Sequence, residues 1–481
     1  MNFIAPDVSP ALPELFVLLM ASIVLIVDVY LSQQERYLSY RLSQLTLLGA
    51  AVLTLLSYAQ QPVITFHGHF VRDSLGDILK LGIYLSVALV FLYSRQYLQD
   101  RDLFKGEFYT LGLFGTLGMM VLVSANSFLM VYLGLELMSL ATYALVALDR
   151  DSPVASEAAM KYFVLGALAS GMLLYGISMI YGATGSLDLQ TVTAAVGGLS
   201  LQKTGDLVLV FGLVFLVVGV GFKLGAVPFH MWLPDVYQGA PTAVTTYVAS
   251  ATKLAAFAMA IRVLVDGEGP LQADWQQMLT VLAVLSIGLG NLVAVVQYNF
   301  KRLLAYSSIS HIGFLLLGVL AGTRDGYASA LFYAMTYVLM AVGSFGMILV
   351  LSKAGFEAEN IDDFRGLNDR NPWLAFLMLL LMMSMAGVPL MVGFYAKLVV
   401  LQAIINQGMI WLAIYSVVFS VIGAFYYLRV VKVVYFDPPP EGAEPVRPPL
   451  DTEVAISVNG LLMLLLGLYP TALMTWCATA F

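Results

Sequence analysis

The sequence predicts an all-α polytopic membrane protein of about fourteen transmembrane helices, with two inverted five-helix repeats that each contain a broken helix. Three observations predict it. The 481 residues are 60% hydrophobic and only 11% charged, against about 25% charged in a soluble domain. Apolar runs of about 20 residues, the length that crosses a bilayer, recur along the whole chain. Lysine and arginine are concentrated in alternate connections, the bias that orients helices in a membrane.

The runs read as spans over 10–30, 42–60, 74–95, 107–124, 126–148, 156–183, 206–238 (interrupted), 241–265, 276–297, 302–321, 326–352, 372–406 (interrupted), 409–435 and 452–479. Connections on one face, from Arg36 to Arg447, hold fourteen lysines and arginines; the opposite face holds Arg72, Lys203 and Arg324. The basic face is therefore expected to be cytoplasmic, with both termini on the other side. No connection is long enough for a soluble domain. Residues 1–9 lack the basic start of a signal peptide, so the first span is expected to be retained.

Two spans are broken by proline. The first reads GFKLGAVPFHMWLPD over 221–235, around Pro228; the second reads MAGVPLMVGFYAK over 385–397, around Pro389. Proline removes a helix hydrogen bond and clashes with the preceding turn. Irregular backbone at membrane depth is tolerated only inside protein or beside water, and paired breaks in corresponding halves point to a transport site. Here the breaks fall in register. Spans 4–8 (107–265) form one block of five and spans 9–13 (276–436) a second, with spans 1–3 (10–95) and 14 (452–479) flanking. The fourth span of each block is the broken one. Five is odd, so the second block starts from the opposite face.

Ionisable residues stand at mid-depth in this apolar frame: Glu136 in span 5, Lys223 in span 7, Lys253 in span 8, His311 in span 10 and Lys397 in span 12. A lysine at the centre of a membrane helix costs roughly 2.5–3.5 kcal/mol by insertion scales. The default explanation is a path for protons or ions. A lone carboxylate in lipid would take up a proton, so Glu136 is expected to pair with a lysine, and Lys223 is the chosen partner. The plainer reading is a static ion pair. Lys253 follows a run of hydroxyls (Thr242, Thr245, Thr246, Ser250, Thr252) and reads as the next station. His311 titrates near neutrality and suits a relay, though a packed histidine is the plainer alternative. Lys397 follows the second break and reads as the terminal station. Lys161 lies one turn and a half inside span 6 and Lys80 within span 3; each can snorkel as easily as conduct. Asp235, Arg262 and Arg429 read as structural; Tyr426 and Tyr427 either line water or pack.

The single cysteine, Cys477, cannot hold an iron–sulfur cluster, which normally takes four thiolates. The four histidines form no evident haem pair. The glycines at 219 and 221 lie inside an apolar helix, where packing explains them better than nucleotide binding. No cofactor or metal is expected in this chain.

FKLGAVPFHMWLPDVYQGAP (222–241), KRLLAYSSISHIG (301–313), FRGL (364–367), SMAGVP (384–389) and GFYAK (393–397) resemble the motifs of the proton-pumping antiporter-like subunits of respiratory complex I. The resemblance covers nearly the whole chain. It implies a membrane-arm subunit in which Glu136, Lys223, Lys253 and Lys397 are proton stations and His311 a linking relay. Partner subunits would carry FMN, iron–sulfur clusters and quinone, and the immediate partners would be other membrane-arm subunits and the lipid bilayer of the bacterial inner membrane, with no nucleic acid. Two relatives of the same fold stay open: a subunit of a multi-subunit Na⁺/H⁺ antiporter, and the equivalent subunit of a ferredoxin-dependent photosynthetic-type complex.

Overall fold

A computed structural model of the chain describes residues 6–58, 61–197 and 204–481. Among these are thirteen helices long and apolar enough to cross a membrane. Span 12 is made of two shorter apolar helices, Pro372–Ala386 and Val392–Asn406, which completes fourteen. Spans 8 and 10 are almost wholly enclosed by the others, whereas spans 1 and 14 lie at the rim. Rim leucines and isoleucines such as Leu19 and Ile26 are exposed, as the outer surface of a membrane bundle requires.

The two proline breaks share one chemistry. Span 7 is helical over Thr204–Leu224, and its next residue, Gly225, has φ +82°. Span 12 stops at Ala386, and Gly387 follows with φ +84°. A glycine in the left-handed region is the usual close of a helix, with proline shortly after because it cannot continue the turn. Pro228 and Pro389 fill that second role. Helix resumes at Trp232–Gly239 in the first case and at Val392–Asn406 in the second.

The two blocks also pack alike. Span 4 lies against span 5 where Gly118 and Gly134 face each other's helix; a Cβ on either would collide with the opposite backbone, at Met138 and Leu122. Span 9 lies against span 10 in the same manner through Gly290, against Ser310, and Gly313, against Ile287. Small residues at such crossings let helix backbones approach closely, the main source of attraction between helices in lipid.

Span 8 departs from the expectation of one continuous helix. It is helical over Thr242–Ala249, breaks at Ser250 (φ −116°, ψ −89°), resumes over Ala251–Ala260 and widens into π-helical turns at Ile261–Gly267. No proline or glycine marks the break at Ser250, so the signal used for spans 7 and 12 was absent. A short hairpin, Val63–Thr65 with Phe70–Arg72, also joins spans 2 and 3. The end of span 2, at 59–60, and Lys203 lie outside the described residues.

Candidate functional site

The helix breaks gather the mid-depth lysines. Lys223 lies in the last turn of Thr204–Leu224 and is 5% exposed. Its ammonium donates to the Ser139 hydroxyl at 2.9 Å and stands 5.9 Å from the centre of the Tyr162 ring. Lys253, 1% exposed, reaches from span 8 to the end of the same helix and donates to the Leu224 carbonyl at 2.8 Å. The break leaves that carbonyl without its helical donor. Trp232, just beyond the break, stacks on Tyr162 with ring centres 4.6 Å apart, and the Lys253 ammonium lies 5.4 Å from its ring. The two lysines thus share one aromatic pair.

The second break is built in parallel. The Lys397 ammonium donates to the carbonyls of Ala386 at 3.0 Å and Met385 at 3.3 Å, the last two residues of the preceding helix. It also donates to the Ser420 hydroxyl at 2.9 Å and lies 5.2 Å from the Phe314 ring. A cation at the carbonyl end of a helix is favoured by the helix dipole. Half-helix ends of this kind are where transporters place their ions.

His311, 3% exposed, sits one helical turn from Phe314. Its Nδ1 lies 2.7 Å from the Tyr333 hydroxyl and its Nε2 3.1 Å from the Tyr427 hydroxyl. Each hydroxyl can donate or accept, so both ring nitrogens are satisfied in either tautomer. Tyr427 also bonds Ser307, while Tyr426 donates to Asn291 at 3.0 Å. These tyrosines therefore belong to the polar interior of the second block.

The expected Glu136–Lys223 ion pair is not closed. Glu136 is half-buried and forms no ion pair among the described residues, and its Oε1 is buried without a hydrogen-bond partner. Ser139, one turn further along the same helix face, holds the lysine instead. Lys80 does not snorkel: it is buried and pairs with Glu14 at 2.6 Å. Lys161 behaves as a partly exposed surface group, bonded to Glu157 at 2.9 Å and Asp235 at 2.8 Å. Arg262 is structural, held by Asp73 at 2.8 Å and Asp266 at 3.0 Å.

Sequence reasoning missed Ser139, Tyr333, Ser420 and Glu14. Ser139 carried a weak signal, its spacing of three from Glu136. The others lie far along the chain from the groups they serve.

A protein-family profile described as "NADH:quinone oxidoreductase/Mrp antiporter, TM" matches residues 125–423, a stretch that contains all five mid-depth residues and both breaks. The chain belongs to the NADH:quinone oxidoreductase/Mrp antiporter family. It is 59% identical over 477 residues, 99% of this chain and 98% of the relative, to a protein of Thioalkalivibrio sulfidiphilus named NADH-quinone oxidoreductase subunit N. A protein of the same name from Thiobacillus denitrificans is 58% identical, over 98% of this chain and 97% of the relative. Among solved structures, a chain of respiratory complex I from Thermus thermophilus is 32% identical, with a TM-score of 0.83 over 98% of this chain and all of that one. A chain of the Mrp complex from Dietzia sp. shares the fold at a TM-score of 0.84 and 21% identity, over 98% of this chain and 97% of that one.

Proposed function

We propose that this chain is a proton-translocating membrane-arm subunit of an NADH:quinone oxidoreductase. The observation that carries the reading is the placement of Lys253 and Lys397 on the freed carbonyls of the two broken helices. An ammonium so held is stabilised by carbonyl dipoles, yet among the described residues it meets no carboxylate that would fix its charge permanently. It can therefore give up and regain a proton as its surroundings change. Lys223, beside Ser139 and within the field of Glu136, forms the first station; Lys253 the second; His311, between its two tyrosines, links to Lys397. Glu136 acts as the switch: when its carboxylate reaches Lys223 the charge on that lysine is held, and when it does not, as here, the ammonium rests on Ser139 and is free to give up its proton. The relatives' printed name supports the redox assignment.

In this reading electrons move from NADH through FMN and iron–sulfur clusters to quinone in partner subunits, and the energy released changes charge or hydration at Glu136. The basic face is cytoplasmic and both termini lie on the opposite side. Spans 4–8 and 9–13 are inverted repeats, a relation supported by the matching Gly–Pro breaks and glycine crossings.

The test is NADH-driven quinone reduction and pH-gradient formation in membrane vesicles carrying Lys223→Ala, with assembly checked on a native gel. Loss of both activities in an assembled complex is expected. Unchanged activity and gradient would make Lys223 structural. An Na⁺/H⁺ antiporter subunit would instead show Na⁺-linked exchange without NADH.

A further inference from the structure

One carboxylate outside this set joins several spans at the basic face. Glu357 lies in the connection between spans 11 and 12, with a quarter of its side chain exposed. Tyr97, near the end of span 3, donates its hydroxyl to both carboxylate oxygens, at 3.0 and 3.1 Å. Arg101, just past span 3, pairs with it at 2.9 Å. Thr242, the first helical residue of span 8, donates its hydroxyl to it. The Lys301 ammonium of span 10 lies 4.0 Å away, and Glu359 of the same connection also acts on Lys301.

Below Thr242 the span carries hydroxyls at one-turn intervals on the same face. Thr246 and Ser250 are fully buried. The Thr246 hydroxyl donates to the Thr242 carbonyl at 2.7 Å, and the Ser250 hydroxyl to the Thr246 carbonyl at 2.6 Å. The helix breaks at Ser250, and Lys253 follows, its N–H donating to the Ser250 carbonyl at 2.9 Å. A stack of three hydroxyls thus separates a solvent-touching carboxylate from a buried ammonium.

A clamp on the start of span 8 would need only an acceptor at Glu357, and Thr246 and Ser250 would then serve only the carbonyls of their own helix. Each of these hydroxyls donates to a backbone carbonyl and keeps its oxygen free to accept, so the face carries a proton as each hydroxyl turns from its carbonyl toward the next group along. We propose that Glu357 is the proton-loading group for Lys253: it takes a proton from water at the basic face, and the proton passes along the Thr242, Thr246 and Ser250 face to the Lys253 amine. Glu357 returns to the carboxylate as the amine becomes an ammonium, and each hydroxyl passes on one proton as it accepts another. This inference rests on the proton-path reading and adds where that path opens.

The experiment uses the assembled complex in membrane vesicles. Glu357→Gln keeps the shape and an acceptor oxygen but cannot carry the proton. The complex is expected to assemble, with protons moved per NADH oxidised falling several-fold and partly restored by formate, a small diffusible acid. Pumping equal to the unaltered complex would overturn the loading role. The double variant Thr246→Val, Ser250→Ala leaves the clamp intact and is expected to show the same fall; normal pumping in it overturns the route even where Glu357→Gln does not assemble. Lys253→Met separates this inference from its premise. Normal pumping in Lys253→Met sinks the proton path itself, whereas impaired Lys253→Met beside normal Glu357→Gln sinks only the loading role.

Discussion

Lys253 and Leu224 belong to different spans, yet the Lys253 ammonium donates to the Leu224 carbonyl at 2.8 Å and so closes the helix that carries Lys223. The same relation recurs between Lys397 and Ala386 at 3.0 Å, there within one broken span. In both blocks a lysine takes the place of the amide that the break removed. An ordinary C-cap could use a backbone amide or a bound water. A lysine adds a proton that can leave, at the cost of burying an ammonium.

Lys253→Met is expected to keep the complex assembled while abolishing most proton movement. The substitution removes a costly buried charge but leaves the Leu224 carbonyl without its donor, a penalty of about 1–3 kcal/mol, so stability changes little. Gradient formation in vesicles, normalised to complex on a native gel, is the measurement. Loss of the complex itself would show that Lys253 serves mainly as a helix cap.

The glycine crossings predict matched defects in the two blocks. Valine at Gly134 meets the Leu122 backbone, and valine at Gly313 meets the Ile287 backbone. At Gly134 the nearest atoms are all backbone; at Gly313 the Ile287 side chain is nearest, but the backbone of Ile287 and Ala283 lies within about 3 Å as well, so the helices must separate, an overpacking cost of about 1–3 kcal/mol or more. Gly134→Val and Gly313→Val are both expected to lower the amount of assembled complex. Gly171, with open space around it, serves as the control: Gly171→Val should assemble normally.

Much of this architecture was legible in the sequence, for identifiable reasons. Spans announce themselves because lipid demands unbroken apolar length, and the breaks at Pro228 and Pro389 because glycine and proline punctuate helices in a fixed order. Lys223, Lys253 and Lys397 stood out because a charge in an apolar run has no cheap explanation. Their partners were not legible. Ser139, Ser420, Tyr333 and Glu14 are ordinary residues whose role depends on which helices become neighbours, and that is decided by packing across long sequence distances. The break at Ser250 was hidden for a related reason: its backbone conformation has no glycine or proline to betray it. The sequence pairs Glu136 with Lys223 because each needs a partner, but a hydroxyl on the same helix face, that of Ser139, meets the lysine's need.

Glu268 gives a pH dependence. It lies in the connection between spans 8 and 9, wholly buried, and neither carboxylate oxygen has a hydrogen-bond partner among the described residues. Burial pushes its carboxyl up from 4.5 to about 8. The native state therefore holds this proton more tightly than the unfolded chain does, the reverse of a salt-bridged acid. Below the ordinary value of 4.5 both states are protonated and nothing is lost; between 4.5 and about 8 the unfolded chain alone ionises, and stability falls as pH rises. Glu268→Gln removes this dependence. Its thermal inactivation should match the unaltered complex near pH 4.5 and be slower near pH 8, by a difference on the order of a few kcal/mol. Equal inactivation at the alkaline end would show that Glu268 is ionised and paired in the assembled complex.

Glu14 and Lys80 supply the sharpest stability test. Their charged groups lie 2.6 Å apart with side chains 7% and 1% exposed, joining span 1 to span 3. Removing one partner of such a pair leaves an uncompensated buried charge, which costs about 3–5 kcal/mol, whereas replacing both by apolar groups of similar size is often neutral. Glu14→Leu alone should therefore deplete the assembled complex, because Lys80 is left charged and dry beside the Phe70 ring, 5.5 Å away. The double variant Glu14→Leu, Lys80→Met should recover it. Recovery of assembly together with NADH-driven pumping would establish the pair as structural. Recovery of assembly without pumping would add Lys80 to the proton-carrying lysines.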